Sequence, residues 1–594
     1  MRADVTEQTP SMIEASTSQG QRVGDGRGRL RIVVNNTLIS FGGQAITWIS
    51  TLLLTMVYGR FLGANGFGEL YLAVTLTGLV GFPLEFSFNQ QLVREVAQYP
   101  HRASRYVSNA LLLKVVLWAL LSIALLVLVT LLHYSLVEQI VVGLSGLTLL
   151  ITSIGSVFSA MHTAVYRNFV PVIGSVIEKI LDTIVAYLLL RFLHVDVIPV
   201  ASVLLIGALL NALWQAAWFY RLERPTFALD RATARELVRT SVPFLLYGAL
   251  GVIYYRIDTV LLGALDGDVV VGLYGAGYKI FDTLIFLPGV IMSAVMYPML
   301  ARLSTNDAKA YRIAIEKSTN FLLICGMPLA TGLGMAAPAI VGLLYHHDEF
   351  GPTVTVMEAL APGLILLYIN SVMSSIIITR HHEKSLVWMA AVALVLNVSL
   401  NLWLIPRYHE AAAAAVTSIT ELALLVMGLI AIPRNLIPWG SLPTLTKAFA
   451  ASGAMALVIL ALSHFTIWVI LPAAVVTYTL TGLVMRLVPR EDALALVEAI
   501  RRKTGREVVA VESLEASDPI SAIHVAIAPR VAARASSSRS TPLAELYASS
   551  RPAERARLVT RAGSRAMPAS TRGRRTGAPG GRSHRARRVA IHLA

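Results

Sequence analysis

A single cysteine, Cys325, in a chain of 594 residues excludes an intramolecular disulfide and any cysteine-based metal cage. Charge is scarce as well. Only 14% of residues are charged against 55% hydrophobic, the balance of a polytopic membrane protein rather than of a string of soluble domains. There is no Gly-x-x-x-x-Gly-Lys-Ser/Thr loop, which excludes a pump that binds ATP through one, and Gly24-Asp25-Gly26-Arg27-Gly28 follows no strand. Nothing pairs a nucleophile with a base and an oxyanion hole, so no enzyme and no cofactor is expected. The histidine-rich stretches His346-His347-Asp348-Glu349 and His381-His382-Glu383 lack the i, i+4 spacing of a helical zinc pair and read as hydrated loop polarity. The first 31 residues have no apolar core of a cleavable signal peptide and are expected to form a cytoplasmic tail.

What the chain has in abundance is apolar sequence of spanning length. Such segments recur from residues 36–58 to 465–486 and predict an all-α integral membrane protein with about 14 transmembrane helices of about 20 residues each. The net charge of +15 sits in the loops and the last hundred residues, so nucleic acid is not the expected partner. Arg94, Arg102, Arg105, Arg221, Arg224 and Arg235 fall on one side of the predicted membrane, and little beyond Arg60, Arg191 and Arg407 on the other. The bias of basic residues towards the cytoplasmic side places both termini in the cytoplasm.

The predicted organisation is a polar cytoplasmic tail (1–34), a first six-helix bundle (35–220), a basic linker (221–240), a second six-helix bundle (241–432), two additional helices (433–487) and a basic tail (488–594). Glu491 to Arg506 reads as an amphipathic surface helix, and the remainder is too rich in Arg, Ser, Ala, Gly and Pro to bury a core. The Arg-rich stretches of that tail could meet anionic membrane lipids, although polybasic composition alone favours a solvated tail. Leu62-Gly63-Ala64, Gly68-Glu69-Leu70-Tyr71 and Pro83 have a counterpart in Leu262-Gly263-Ala264, Gly272-Leu273-Tyr274 and Pro288. Two such copies an even number of spans apart would share one orientation, and transporters place substrate between repeats of this kind.

Ionisable residues at membrane depth are expensive and are functional candidates by default. Arg256 and Asp258 occupy the otherwise apolar stretch Ser241–Leu265, two residues and about 200° apart on a helix, so each needs a partner elsewhere. Lys279 and Asp282, at i, i+3, are expected to neutralise each other in the next span. Glu178, Lys179 and Asp182 form a similar cluster in the fifth span, with Glu178 and Asp182 at i, i+4. Lys114 stands near the cytoplasmic end of the third span and is expected to snorkel. Arg256, Lys279 and Lys114 are the candidates for binding substrate; Asp258, Asp282, Glu178 and Asp182 are those for ion coupling or for locking helices together.

Arg60-Phe61-Leu62-Gly63 with Phe67-Gly68 resembles the opening signature of the polysaccharide transport family. These are the O-antigen and teichoic-acid lipid flippases of the multidrug/oligosaccharidyl-lipid/polysaccharide exporter superfamily. Arg256-Ile257-Asp258-Thr259-Val260-Leu261-Leu262-Gly263 with Val271-Gly272-Leu273-Tyr274-Gly275-Ala276-Gly277-Tyr278-Lys279 is similar to it too, as are Gln91-Leu92-Val93-Arg94-Glu95 and Asn401-Leu402-Trp403-Leu404-Ile405-Pro406. The resemblance covers residues 35–506. It implies two six-helix bundles in a V around a central cavity, two further helices, and alternating access that turns an undecaprenyl-pyrophosphate-linked oligosaccharide across the cytoplasmic membrane. Cationic side chains would attract the pyrophosphate in a low-dielectric cavity, and Asp258 would carry a coupling proton or sodium ion. Tyr408-His409-Glu410 and five alanines stand where the family often has a Gly-rich turn. A cation-coupled exporter of small amphipathic drugs on the same fold, and a membrane scaffold whose basic tail recruits partners, are the alternatives.

Overall fold

The structure, a computed structural model, describes residues 26–85, 88–99, 103–222, 229–345 and 347–488. The predicted tails lie largely outside these, the amphipathic helix of Glu491 to Arg506 entirely so, and the linker is described except for residues 223–228. The described chain is helical throughout. In order come α1 (Gly26–Glu85), α2 (Phe88–Gln98), α3 (Ala103–Leu131), α4 (Leu136–Ala164), α5 (Phe169–Leu188), α6 (Val197–Leu222), α7 (Arg231–Leu265), α8 (Asp268–Ile291), α9 (Tyr297–Asn306), α10 (Ala308–Met335), α11 (Ala337–Leu344), α12 (His347–Phe350), α13 (Thr353–Thr379), α14 (Glu383–Ala431), α15 (Leu442–Ala461) and α16 (Ile467–Val484). Among the described residues 11 helices are long and apolar enough to cross a membrane. The expected span 170–192 falls on α5, whose Glu178, Lys179 and Asp182 keep it outside that set.

Two of these helices are longer than one membrane crossing requires, and each is broken once. α1 breaks at Gly63 (φ 68°, ψ −177°), a conformation open to glycine because it has no Cβ. The amide that the break frees at Ala64 donates to Glu349 Oε1 at 2.5 Å, and Arg60 donates to the carbonyls of Leu343 and Leu344. Glu349, read from the sequence as loop polarity, thus caps a helix break in another element. α14 breaks at His409, which takes φ 51° and ψ −133° without being glycine. The turn whose geometry the missing glycines left open is therefore made, with a strained histidine in it.

His409 Nδ1 lies 3.2 Å from Asp266 Oδ2, but the imidazole is 57% exposed, so the pair contributes at most about 1 kcal/mol. The backbone strain costs about 1–3 kcal/mol. His409→Gly is accordingly expected to stabilise the protein by about 1 kcal/mol after the extra chain entropy of glycine is subtracted. Thermal unfolding of the purified protein would report this as a raised midpoint; a lowered one would mean that the histidine side chain outweighs the strain.

α1 to α6 pack mainly on one another, α4 against α6 and α1 against α4 and α5; α7, α8, α10, α13 and α14 form a second group, with α15 and α16 packed on α10. The groups meet where α1 crosses α8 and α7. That junction is apolar and aromatic: Phe67 lies edge-on to Tyr345 and Phe350, at 6.4 and 6.3 Å between ring centroids. Burial of such rings, at about 25 cal/mol per Å² of apolar surface, holds the junction together. Asp230 caps α7 through the amides of Ala232 and Thr233, and the hydrogen bond from the Thr233 hydroxyl, with those amides, holds its carboxyl below the ordinary carboxylate range.

Candidate functional site

The two copies of the sequence repeat lie against each other. A Cβ on Gly68 would stand 1.8 Å from the carbonyl oxygen of Asp268, and one on Gly272 would stand 2.0 Å from that of Ala64. Each glycine is thus required by the backbone of the opposite copy, and α1 and α8 cross at van der Waals distance. Glycine permits this approach because it has no side chain to separate the two backbones.

Along the junction from this crossing lies Arg256. Its Nη2 pairs with Asp282 Oδ2 at 3.1 Å, its Nη1 donates to the Tyr71 hydroxyl at 3.3 Å, and its guanidinium lies 5.6 Å from the centre of the Tyr278 ring. Lys279 Nζ lies 5.6 Å from the centre of the Tyr71 ring. Asp282 therefore does not neutralise Lys279 as its spacing suggested: its carboxylate is held by the guanidinium of the preceding helix, and the lysine turns to an aromatic face of α1. Among the described residues Lys279 makes no ion pair, and the cluster retains one net positive charge. Arg256 and Asp282 keep 30% and 27% of their side-chain surface. Their pair is reachable from outside, so the guanidinium is able to exchange its carboxylate for another anion.

Asp258 is separated from Arg256, as the helical spacing requires. It is 2% exposed inside the second group, with Asn401 Nδ2 at 2.7 Å from Oδ1, and the Thr417 and Tyr274 hydroxyls at 2.9 and 3.3 Å from Oδ2. Asn401 also donates to Asn397 Oδ1 at 2.9 Å, while its own Oδ1, fully buried, meets no donor among the described residues. Every one of these partners is neutral. The carboxylate is thus held by N–H and O–H donors rather than by a countercharge, and the same side chains carry the amide and hydroxyl oxygens of the kind that replace the hydration shell of a small hard cation. Glu421, 3% exposed, lines the same small cavity, bound by Tyr254 at 3.1 Å and Asn370 at 2.8 Å. Sequence reading passed over Glu421, although it is the only charge between residues 411 and 432, which was the available signal.

The remaining candidates lie in the first group. Lys179 Nζ binds Glu178 Oε1 at 2.8 Å and Asp182 Oδ2 at 3.2 Å, and Asn211 donates to Glu178 Oε2 at 2.6 Å. Lys114 does not snorkel. It is fully buried, with Nζ at 3.0 Å from the Ser153 carbonyl and 2.8 Å from Ser156 Oγ, because α4 offers it oxygens at a depth from which its stem need not climb. Glu178, Lys179 and Ser156 border a cavity of about 800 Å³ formed by α1, α4, α5 and α6.

Residues 33–304 match the family described as polysaccharide biosynthesis protein. The match agrees with the resemblance of the sequence motifs to the polysaccharide flippases of the multidrug/oligosaccharidyl-lipid/polysaccharide exporter superfamily. The probable lipid II flippase MurJ of Haemophilus influenzae is 23% identical over 242 residues, 38% of this chain and 47% of the relative, so the match spans about half the length of that protein. Among solved structures, the lipid II flippase MurJ in an inward closed conformation superposes with a TM-score of 0.60 at 15% identity, covering 76% of this chain and 99% of that one. An inward-facing multidrug resistance MATE family transporter of the superfamily gives 0.53 at 14% identity, covering 64% and 93%. These likenesses establish the superfamily fold of a multi-pass membrane protein. The relatives bear the names of transporters rather than enzymes, and since flippase and multidrug transporter share the fold, function has to be argued from the site.

Proposed function

We propose that this polysaccharide-transport relative flips an undecaprenyl-pyrophosphate-linked oligosaccharide across the cytoplasmic membrane for the assembly of a cell-surface polysaccharide. The observation that carries this reading is the net positive, partly exposed cluster of Arg256 and Lys279 at the junction of the two helix groups. A pyrophosphate entering there would meet a guanidinium able to bind it in a bidentate manner, and an ammonium that forms no ion pair among the described residues. In a medium drier than water these charges act more strongly on it. Asp282 would take Arg256 back once the substrate had left, so the site need not hold a bare buried charge in between. With both termini in the cytoplasm, Gly68 and Gly272 lie on the far side of the membrane and close it. The cation site at Asp258 would couple transport to a proton or sodium gradient.

Arg256→Ala is expected to lower surface glycan at least tenfold while the amount of protein in the membrane stays unchanged. Arg256→Lys should retain part of the activity, because it restores charge without the fork. Normal glycan in Arg256→Ala cells would remove the cluster from the site. The cation site beside a shared fold also suits a second reading, a cation-coupled exporter of amphipathic drugs. It differs in leaving surface glycan untouched and in raising drug resistance when the protein is overproduced.

A further inference from the structure

The cavity of the first helix group is bordered mainly by Ser, Thr, Asn and Gln side chains. Its volume of about 800 Å³ falls within the range of about 300–1,000 Å³ usual for ligand pockets, and among its hydroxyl and amide side chains stand Trp48, Val74, Val172 and Leu204, so that it offers both polar groups and apolar surface, as the two faces of a sugar require. The hydroxyls also point one way electronically. Thr47, Thr51 and Thr148 each donate to a carbonyl three or four residues back in their own helix, at 2.8–2.9 Å. What they turn to the cavity is lone pairs. These acceptors, set among the amide side chains of Gln44, Asn168, Asn211 and Gln215, suit a ligand that brings many O–H donors better than one that brings an anionic oxygen.

The charged group at the cavity reinforces this. Lys179 is shared between Glu178 and Asp182, so the three side chains together carry one negative charge. Asp182 is 1% exposed and is given room by Gly207, where a Cβ would stand 2.0 Å from Asp182 Oδ1. Lys179 is thus committed within the protein, unlike Lys279 beyond it. A lipid-linked glycan reaching from the Arg256–Lys279 cluster into this space would place its phosphates at the positive end and its sugars among the acceptors.

We propose that this cavity binds the carbohydrate portion of the substrate and selects uncharged sugars over acidic ones. This deepens the flippase reading and rests on it for the identity of the lipid end. Trp48 is among the residues that border the cavity.

The test is calorimetric titration of the protein in lipid nanodiscs, free of glycoside detergent, with tri-N-acetylchitotriose and with trigalacturonate. The neutral trisaccharide is expected to bind at least tenfold more tightly. Thr152→Trp, which fills the cavity from α4, should lose at least tenfold of that affinity, and Glu178→Gln should narrow the preference between the two sugars. Failure of the neutral sugar to bind, equal binding of both, or full binding by a Thr152→Trp protein with an unchanged melting midpoint would overturn the proposal. Flipping is read separately, in proteoliposomes. Sugar binding without flipping would contradict the flippase reading and leave the site standing, whereas equal flipping of bare and glycosylated polyprenyl pyrophosphate without sugar binding would remove the site alone.

Discussion

Alanine at Gly68 or Gly272 is expected to abolish transport although neither residue touches substrate. The new Cβ would meet a backbone carbonyl at 1.8 or 2.0 Å, and a backbone atom, unlike the end of a flexible side chain, cannot step aside. α1 and α8 have to separate. Overpacking of this kind costs about 1–3 kcal/mol, enough to shift a two-state equilibrium by roughly 5- to 150-fold towards the form in which this end is open. A transporter that alternates needs both forms within reach of each other, so biasing one of them stalls the cycle. Cysteines at Ala64 and Asp268, each beside the glycine of the opposite helix, should be joined readily by a short bifunctional thiol reagent in the otherwise unaltered protein and poorly when Gly68 or Gly272 is alanine. Efficient cross-linking in the alanine variants would show that the crossing tolerates a methyl group and that transport does not depend on it.

The second large effect is expected at Asp258. Asp258→Asn keeps the shape of the side chain but removes the charge that Asn397, Asn401 and Thr417 surround. Transport driven by a sodium or proton gradient should fall at least tenfold, and the dependence on the gradient should disappear with it, because an uncharged amide offers a cation no electrostatic reason to leave water. Thr417→Val, which removes one oxygen at nearly constant volume, should instead raise the cation concentration needed for half-maximal transport. If Asp258 were only a lock between helices, Asp258→Asn would leave the gradient dependence of the remaining transport as it was.

Much of this architecture could be read from periodicity and composition, because a membrane protein writes its helices as long apolar runs and its unusual residues as interruptions. The repeat around Gly68 and Gly272 was visible as a pattern, but not that its two copies embrace each other; that depends on packing between residues about two hundred positions apart. Partner choice was the harder part. Spacing on one helix paired Lys279 with Asp282, and the fold gave Asp282 to Arg256 of the neighbouring helix instead. Spacing likewise sent Lys114 to the membrane surface, whereas the oxygens of Ser153 and Ser156 hold it inside. Side chains at membrane depth take whichever partner lies nearest in three dimensions, and helical periodicity reports neighbours along one helix only. Asn397, Asn401 and Thr417 carry no charge and so left no interruption to notice, while Glu421 left one that spacing arguments about charged pairs did not cover.

The central claim is that the substrate is a pyrophosphate-linked glycan rather than a small cation, and one measurement bears on it most directly. The purified protein is reconstituted into liposomes whose inner leaflet carries an undecaprenyl-pyrophosphate-linked neutral oligosaccharide, and the glycan reaching the outer leaflet is measured by its accessibility to an added glycosidase. Protein-dependent exposure of the glycan, lost in Arg256→Ala, is the expected result. Liposomes that never expose the glycan, yet expel a fluorescent amphipathic cation under the same gradient, would contradict it.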